Sequence, residues 1–226
     1  NDISFVQRSF GFVTAVSEAT TAIYSAHAEA TGARNGIGLV KLMGRHAGFI
    51  AAYATLANSD VNFCLVPEVD FTLEAFLKAL QKRLENRGHA VVVAAEGAGQ
   101  NLMDTTGERD ASGNIRLVDI GIFLKDRITA HFKEQGIESN LKYIDPSYII
   151  RSMPATPPDS AFCLILGHNA VHAGMAGRTG MLVGYWKNEF THVPISAVVS
   201  QGKQMDPKDK LWTCVLSSTG QPREMR

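Results

Sequence analysis

Short continuous apolar runs alternate with stretches of helical spacing along this chain. Residues 36–42 carry Ile37, Leu39 and Val40 in a strand-like run that breaks at Met43-Gly44-Arg45, and apolar residues resume after Gly48 as an alanine-rich helix. The runs VNFCLV at 61–66, ended by Pro67, and AVVVAA at 90–95 have the character of strands buried on both faces, and 141–144 before Pro146 predicts a further short strand. Between them the period lengthens. Phe12, Val13, Val16, Ile23 and Tyr24 predict a helix over 11–31 stopped by Gly32. Leu73, Phe76, Leu77, Leu80 and Leu84 predict one capped by Thr72 and closed by Gly88, and Ile120, Phe123, Leu124, Ile128 and Phe132 one capped by Asp119 and closed by Gly136. Such alternation predicts an α/β fold with parallel strands and crossover helices.

The second half is punctuated differently. Residues 104–116 are polar and glycine-containing, which predicts a loop or small hairpin. Prolines 154, 157 and 158 stiffen a connection that reads as a domain crossing, and a helix is expected from Asp159 to about residue 176. MLVGYW and THVPI predict a hairpin around Lys187-Asn188-Glu189, and Asp206-Pro207 predicts the start of a last helix that ends near Gly220.

The turn at 43–48 joins a strand to a helix. Free backbone N–H groups at such a helix start, glycines that permit close approach and the charge of Arg45 predict a phosphate or sugar-phosphate site there; the same arrangement also serves as an ordinary joint of α/β domains. Glu96, followed by glycines at the carboxyl end of its strand, stands where open α/β sheets hold ligands, or else caps a loop. His168 and His172 lie four apart but lack the glutamate of HExxH, which suits packing or surface histidines better than zinc. Lys78, Lys82, Arg83 and Arg87 share a helix face that reads as solvated rather than as a binding patch.

Composition narrows the partners. With 22 basic and 22 acidic residues, no net charge advertises nucleic acid or a membrane face. Cys64, Cys163 and Cys214 sit far apart in apolar runs, as expected of reduced, buried thiols in a cytoplasmic protein. No run reaches the roughly 18 apolar residues of a membrane helix, and no signal-peptide pattern opens the chain. The absence of an initiator Met suggests a fragment.

The stretches NDISF, GFVTAV, VKLMGRHAGFIA, LVPE, VVVAAEGAGQ, KYIDPSYIIRS, AVHAGMAGRTG and LWTCVLSSTGQP, in order over nearly the whole length, resemble the 6-phosphofructokinase family. KYIDPSY and AEGAGQ look most like the branch of plants, trypanosomes and some bacteria. The resemblance implies the phosphofructokinase fold: parallel Rossmann-like sheets with helices on both faces, in two lobes. Residues 1–12 would then be a remnant of the nucleotide-binding lobe, 13–150 the fructose 6-phosphate-binding lobe, 151–200 a return to the first lobe and 201–226 a C-terminal helical segment. It also implies a cytoplasmic, allosteric glycolytic transferase that moves the terminal phosphoryl of ATP to the 1-hydroxyl of fructose 6-phosphate with Mg²⁺, as a homotetramer or homodimer. The alternatives are pyrophosphate as donor, or a non-catalytic sugar-phosphate-binding module.

Residue by residue, the resemblance makes Asp2 an acidic residue that organises magnesium or the base, and sets Met43, Gly44 and Arg45 against the sugar phosphate, with Arg45 neutralising the moving phosphoryl group. Glu96 would accept hydrogen bonds from sugar hydroxyls. Tyr148 and Arg151 would grip the 6-phosphate, with a phenol where many bacterial members have histidine, and Lys142 matches an arginine that reaches in from a neighbouring subunit. In this family a Thr-Ile-Asp triplet, whose aspartate is the base, directly precedes Asn-Asp; the chain begins one residue too late to hold it, so the fragment is expected to be inactive alone. Where bacterial members place another intersubunit arginine, this chain has Gly36.

Overall fold

The computed structural model describes residues 2–104, 107–109, 113 and 116–226. The chain runs α1 (Phe12–Thr31), β1 (Gly36–Leu42), α2 (Phe49–Leu56), β2 (Phe63–Leu65), α3 (Leu73–Arg87), β3 (His89–Ala95), α4 (Ile120–Glu134), β4 (Asn140–Ile144), α5 (Ser147–Ser152), α6 (Pro157–Met175), β5 (Met181–Trp186), β6 (Glu189–Pro194), α7 (Ile195–Ser200) and α8 (Lys210–Thr219). The first four strands form a parallel sheet in the order β2-β3-β1-β4, with Gly36 opposite His89 and Leu42 opposite Ala95 at the two ends of the central pair. β5 and β6 form a separate antiparallel pair joined through Lys187 and Asn188, both at positive φ as the tight hairpin turn requires.

Alternation of side chains across the pleat splits the core in two. β1 sends Val40 and Leu42, and β3 sends Val91 and Val93, toward α1, α2 and α8. Ile37, Leu39, Val92 and Ala94 face the opposite way, toward Phe76 and Leu80 of α3 and Leu124, Ile128 and Phe132 of α4. A sheet covered on both faces is why its central strands read as unbroken apolar runs.

Helix α1 approaches the sheet unusually closely. It lays a stripe of small residues, Ala15, Ala19, Ala22, Ala26 and Ala30, on the core, and β1 answers with Gly36 and Gly38. A Cβ at Gly36 would stand 2.0 Å from the Ala30 carbonyl oxygen, and one at Gly38 2.6 Å from that of Ala26. Gly38→Ala must therefore push the helix off the strand. The expected cost is about 1–3 kcal/mol, as for other overpacked cores, read as a lower urea midpoint. The same contact explains the departure at position 36, where no arginine fits while α1 keeps this seat.

The N-termini of α1 and α6 meet. Asp159, fully buried, accepts hydrogen bonds from the backbone N–H and the hydroxyl of Thr14, each at 2.8 Å, and from Arg8 at 3.4 Å. Thr14 Oγ1 in turn accepts from the backbone N–H of Thr156, the N-cap residue of α6, at 3.0 Å. Burial opposes ionisation of Asp159, but the Thr14 and Arg8 hydrogen bonds outweigh it and hold the carboxyl below its ordinary range.

Several expectations need correction. The last helix starts at Lys210, with Asp209 rather than Asp206 as N-cap, because Asp206 turns the chain first by accepting from Lys208 N–H. The connection at 157–158 is already helical, as proline suits a helix's first turn. The SYIIR stretch is the short helix α5 and the residues after β6 form α7, neither of which was expected. The cysteines are not all buried: Cys64 is, and burial pushes its thiol up to about 12, but Cys163 is exposed. The loop expected at 104–116 lies largely outside the described residues.

Candidate functional site

Adjacent parallel strands whose following helices lie on opposite faces of the sheet leave a crevice at their carboxyl ends. β1 leads to α2 on one face and β3 leads to α4 on the other, and the two strands are paired neighbours. The crevice therefore opens beyond Leu42 and Ala95. Met43, Gly44 and Arg45 leave one strand there, and Glu96 leaves the other.

These two turns are in contact. Gly97 N–H donates to the Gly44 carbonyl at 3.1 Å, and a Cβ on Gly97 would stand 1.9 Å from the Arg45 carbonyl oxygen. Gln100 steadies the second turn by donating to the carbonyls of Glu96 and Val118. Beside this crevice a cavity of about 390 Å³ is lined by Met43, Ile50, Phe10, Phe12, Ile150 and Arg151 among others. Fold and chain order thus bring Met43, Gly44, Arg45 and Glu96 together, and Arg151 shares the neighbouring cavity with Met43.

The other expected residues stand further out. Tyr148 shares α5 with Arg151 but is 82% exposed. Lys142 is exposed in the edge strand β4, opposite Gly38 and well before the strand's carboxyl end, so it is not gathered with the others. Asp2 is exposed; its carbonyl accepts from Lys203 N–H at 3.0 Å, and the next residue, Gln204, donates to the His46 carbonyl at 3.1 Å, which ties this segment to the turn after Arg45. His168 and His172 are both exposed, and among the described residues no group of three or more His, Cys, Asp or Glu side chains could hold a metal.

One expectation about the turn fails. The N-cap amide of α2 is not open to an incoming anion, because Gly48 N–H donates to both carboxylate oxygens of Glu68, at 2.9 and 3.1 Å. Glu68 also accepts from Met205 N–H at 2.9 Å. An internal carboxylate thus occupies the positive end of this helix. A Cβ on Gly48 would stand 2.5 Å from Val66 and 2.9 Å from Glu68 Oε2, so the position has no room for a side chain.

Sequence reasoning also missed a charged cluster under the crevice. Lys41 Nζ contacts Asp119 Oδ2 at 2.6 Å and Asp145 Oδ2 at 2.8 Å. Asp119 caps α4 through the N–H groups of Gly121 and Ile122 and accepts from the Tyr143 hydroxyl at 3.2 Å. Asp145 accepts from both the N–H and the hydroxyl of Ser147 at the start of α5. Burial disfavours charge on Lys41, but its hydrogen bonds to the two aspartates raise its pKa above the ordinary lysine value. Burial likewise opposes ionisation of the aspartates, and the Lys41 bond leads the contacts that hold both below their usual range. Burial pushes the Tyr143 phenol up to about 12. The available signal was a lone lysine inside the apolar run GLVKL.

A parallel sheet with charged side chains collected at a topological switch point defines an α/β protein of the ligand-binding, open-sheet class. Residues 1–174 match the family model described as Phosphofructokinase. The chain is 52% identical over its whole length to the ATP-dependent 6-phosphofructokinase of Borreliella burgdorferi, covering 53% of that protein, and 47% identical to ATP-dependent 6-phosphofructokinase 1 of Arabidopsis thaliana, covering 49%. Among solved structures it superposes with a TM-score of 0.70, at 19% identity, on the pyrophosphate-dependent phosphofructokinase of Marinobacter aquaeolei, covering all of this chain and 62% of that one. The chain belongs to the phosphofructokinase family. It spans about half the length of the curated relatives it matches. No described helix is long and apolar enough to cross a membrane.

Proposed function

We propose that this chain forms the acceptor-sugar side of an ATP-dependent 6-phosphofructokinase, which transfers the terminal phosphoryl of ATP to the 1-hydroxyl of fructose 6-phosphate. The observation that carries the reading is the contact between the Met43-Gly44-Arg45 and Glu96-Gly97 turns at the switch point, in a chain 52% identical to an enzyme of that name. Phosphoryl transfer needs little covalent help from protein and much positioning and charge neutralisation. Arg45 supplies charge at the transferred group. Glu96 accepts hydrogen bonds from sugar hydroxyls, Met43 packs on the sugar, and Arg151 with Tyr148 holds the 6-phosphate. Lys142, standing apart on the edge strand, serves a neighbouring subunit's site in a homodimer or homotetramer.

A magnesium ion carried mainly by donor phosphates and water needs only one or two protein carboxylates, a requirement the exposed Asp2 can meet. Bound there, magnesium would neutralise charge on the donor phosphates. In this reading 1–12 and 151–200 belong to the nucleotide-binding lobe, 13–150 to the sugar-phosphate lobe and 201–226 to a C-terminal helical segment, and the enzyme is cytoplasmic.

ATP is favoured as donor because the relatives at 44–52% identity are named ATP-dependent; the pyrophosphate-dependent neighbours, at 17–19%, share the fold. Fructose 1,6-bisphosphate formation by the full gene product is expected with Mg²⁺ and ATP. Product with pyrophosphate but not with ATP would overturn the donor assignment.

A further inference from the structure

Lys41 lies one residue before the end of β1, on the face toward α4, with its side chain 12% exposed. A lysine so close to a phosphate-handling turn invites a role as a ligand contact. Its geometry points elsewhere, since the ammonium is committed at 2.6 and 2.8 Å to two carboxylates. What matters is what those carboxylates hold.

Asp145 is the first residue after β4, and the parallel register that pairs Val40 with Ile144 brings it alongside Lys41. Oδ2 of Asp145 meets Lys41, and its Oδ1 takes the N–H of Ser147 at 3.0 Å and the hydroxyl at 2.5 Å. Ser147 is the first residue of α5, a helix of six residues with its one buried side chain at Ile150. Asp119 anchors the other end of the bridge at the start of α4. So short a helix cannot hold its own place. Ile150 anchors it to the core, and the Lys41–Asp145–Ser147 link ties down its entry.

We propose that Lys41 is a positioning residue for sugar-phosphate binding: through Asp145 it fixes the start of α5 and so the placement of Tyr148 and Arg151. This rests on the reading of α5 as the phosphate-gripping helix.

Steady-state kinetics of the full gene product separate the two claims. Lys41→Met is expected to raise the KM for fructose 6-phosphate about tenfold, the scale of one weakened charged hydrogen bond, with kcat and the KM for ATP changed little. Asp145→Asn should act in the same direction and Lys41→Arg should restore most of the loss. Asp119→Asn, which leaves the link to α5 in place, should not raise that KM. Combining Lys41→Met with Arg151→Ala should give less than the product of the single effects, because a misplaced helix costs little once its main contact is gone.

If Arg151→Ala itself leaves the KM unchanged, the reading of α5 fails. If Arg151→Ala raises it while Lys41→Met and Asp145→Asn do not, or if the double variant is fully multiplicative, the positioning role is wrong. Should Lys41→Met not fold, Asp145→Asn alone decides, since it keeps both side-chain volume and the Lys41–Asp119 pair.

Discussion

Arg45→Ala, made in the full gene product, is expected to lower kcat by about 10²–10³, the range for removing one preorganised group that stabilises developing charge, while the KM for fructose 6-phosphate stays within a few-fold. The residue stands three positions past the end of β1, and Gly97 packs against its backbone and bonds the preceding Gly44 carbonyl, so its starting point is held. A group held against the moving phosphoryl does most of its work in the transition state, and its loss falls on kcat. Arg151, on the sugar-phosphate grip, contacts a group that does not react. Arg151→Ala should therefore raise the KM by roughly 10–100-fold, as loss of a charge-assisted hydrogen bond of about 1.5–3 kcal/mol would, and leave kcat nearly intact. Equal behaviour of the two variants would sink this division of roles.

The largest stability effect is expected from Asp159→Ala. This carboxylate is wholly buried and holds the first turn of α1 to the first turn of α6, so its removal strands the Thr14 N–H. The loss should be about 3 kcal/mol, one to two charged hydrogen bonds, seen as a fall of roughly 6–12 °C in Tm for a chain of this size. The pH dependence has a definite sign. Because the folded carboxyl titrates below its ordinary value of 3.8, its contribution is present above that value and disappears as pH falls through the folded pKa. The gap between parent and variant should therefore narrow in acid. An unchanged gap down to pH values below the carboxylate range would count against the assignment.

The central sheet was legible because buried parallel strands show as apolar runs, and the ends of those runs marked Arg45 and Glu96. The capped helices were legible for the same local reason, Thr72 and Asp119 being strong N-cap residues that do cap. What stayed hidden depends on contacts remote in sequence. That Glu68 would fill the α2 terminus follows from a return of the chain 20 positions on. That Lys41 would meet Asp145 follows from the β1–β4 register, which no local pattern encodes. Asp206 was expected to cap the last helix, but it closes a turn onto Lys208 N–H first and the helix begins after Asp209. The short helices α5 and α7 carry too few residues for a period to declare itself.

The seat of α1 on Gly36 and Gly38 has a consequence for descent as well as for stability. Once a lineage has let the helix backbone come this close to the strand, a side chain at position 36 cannot return in a single substitution, because it would collide with main chain and not with something that can rotate away. Any side chain there requires first a displaced or redrawn helix end near Ala30.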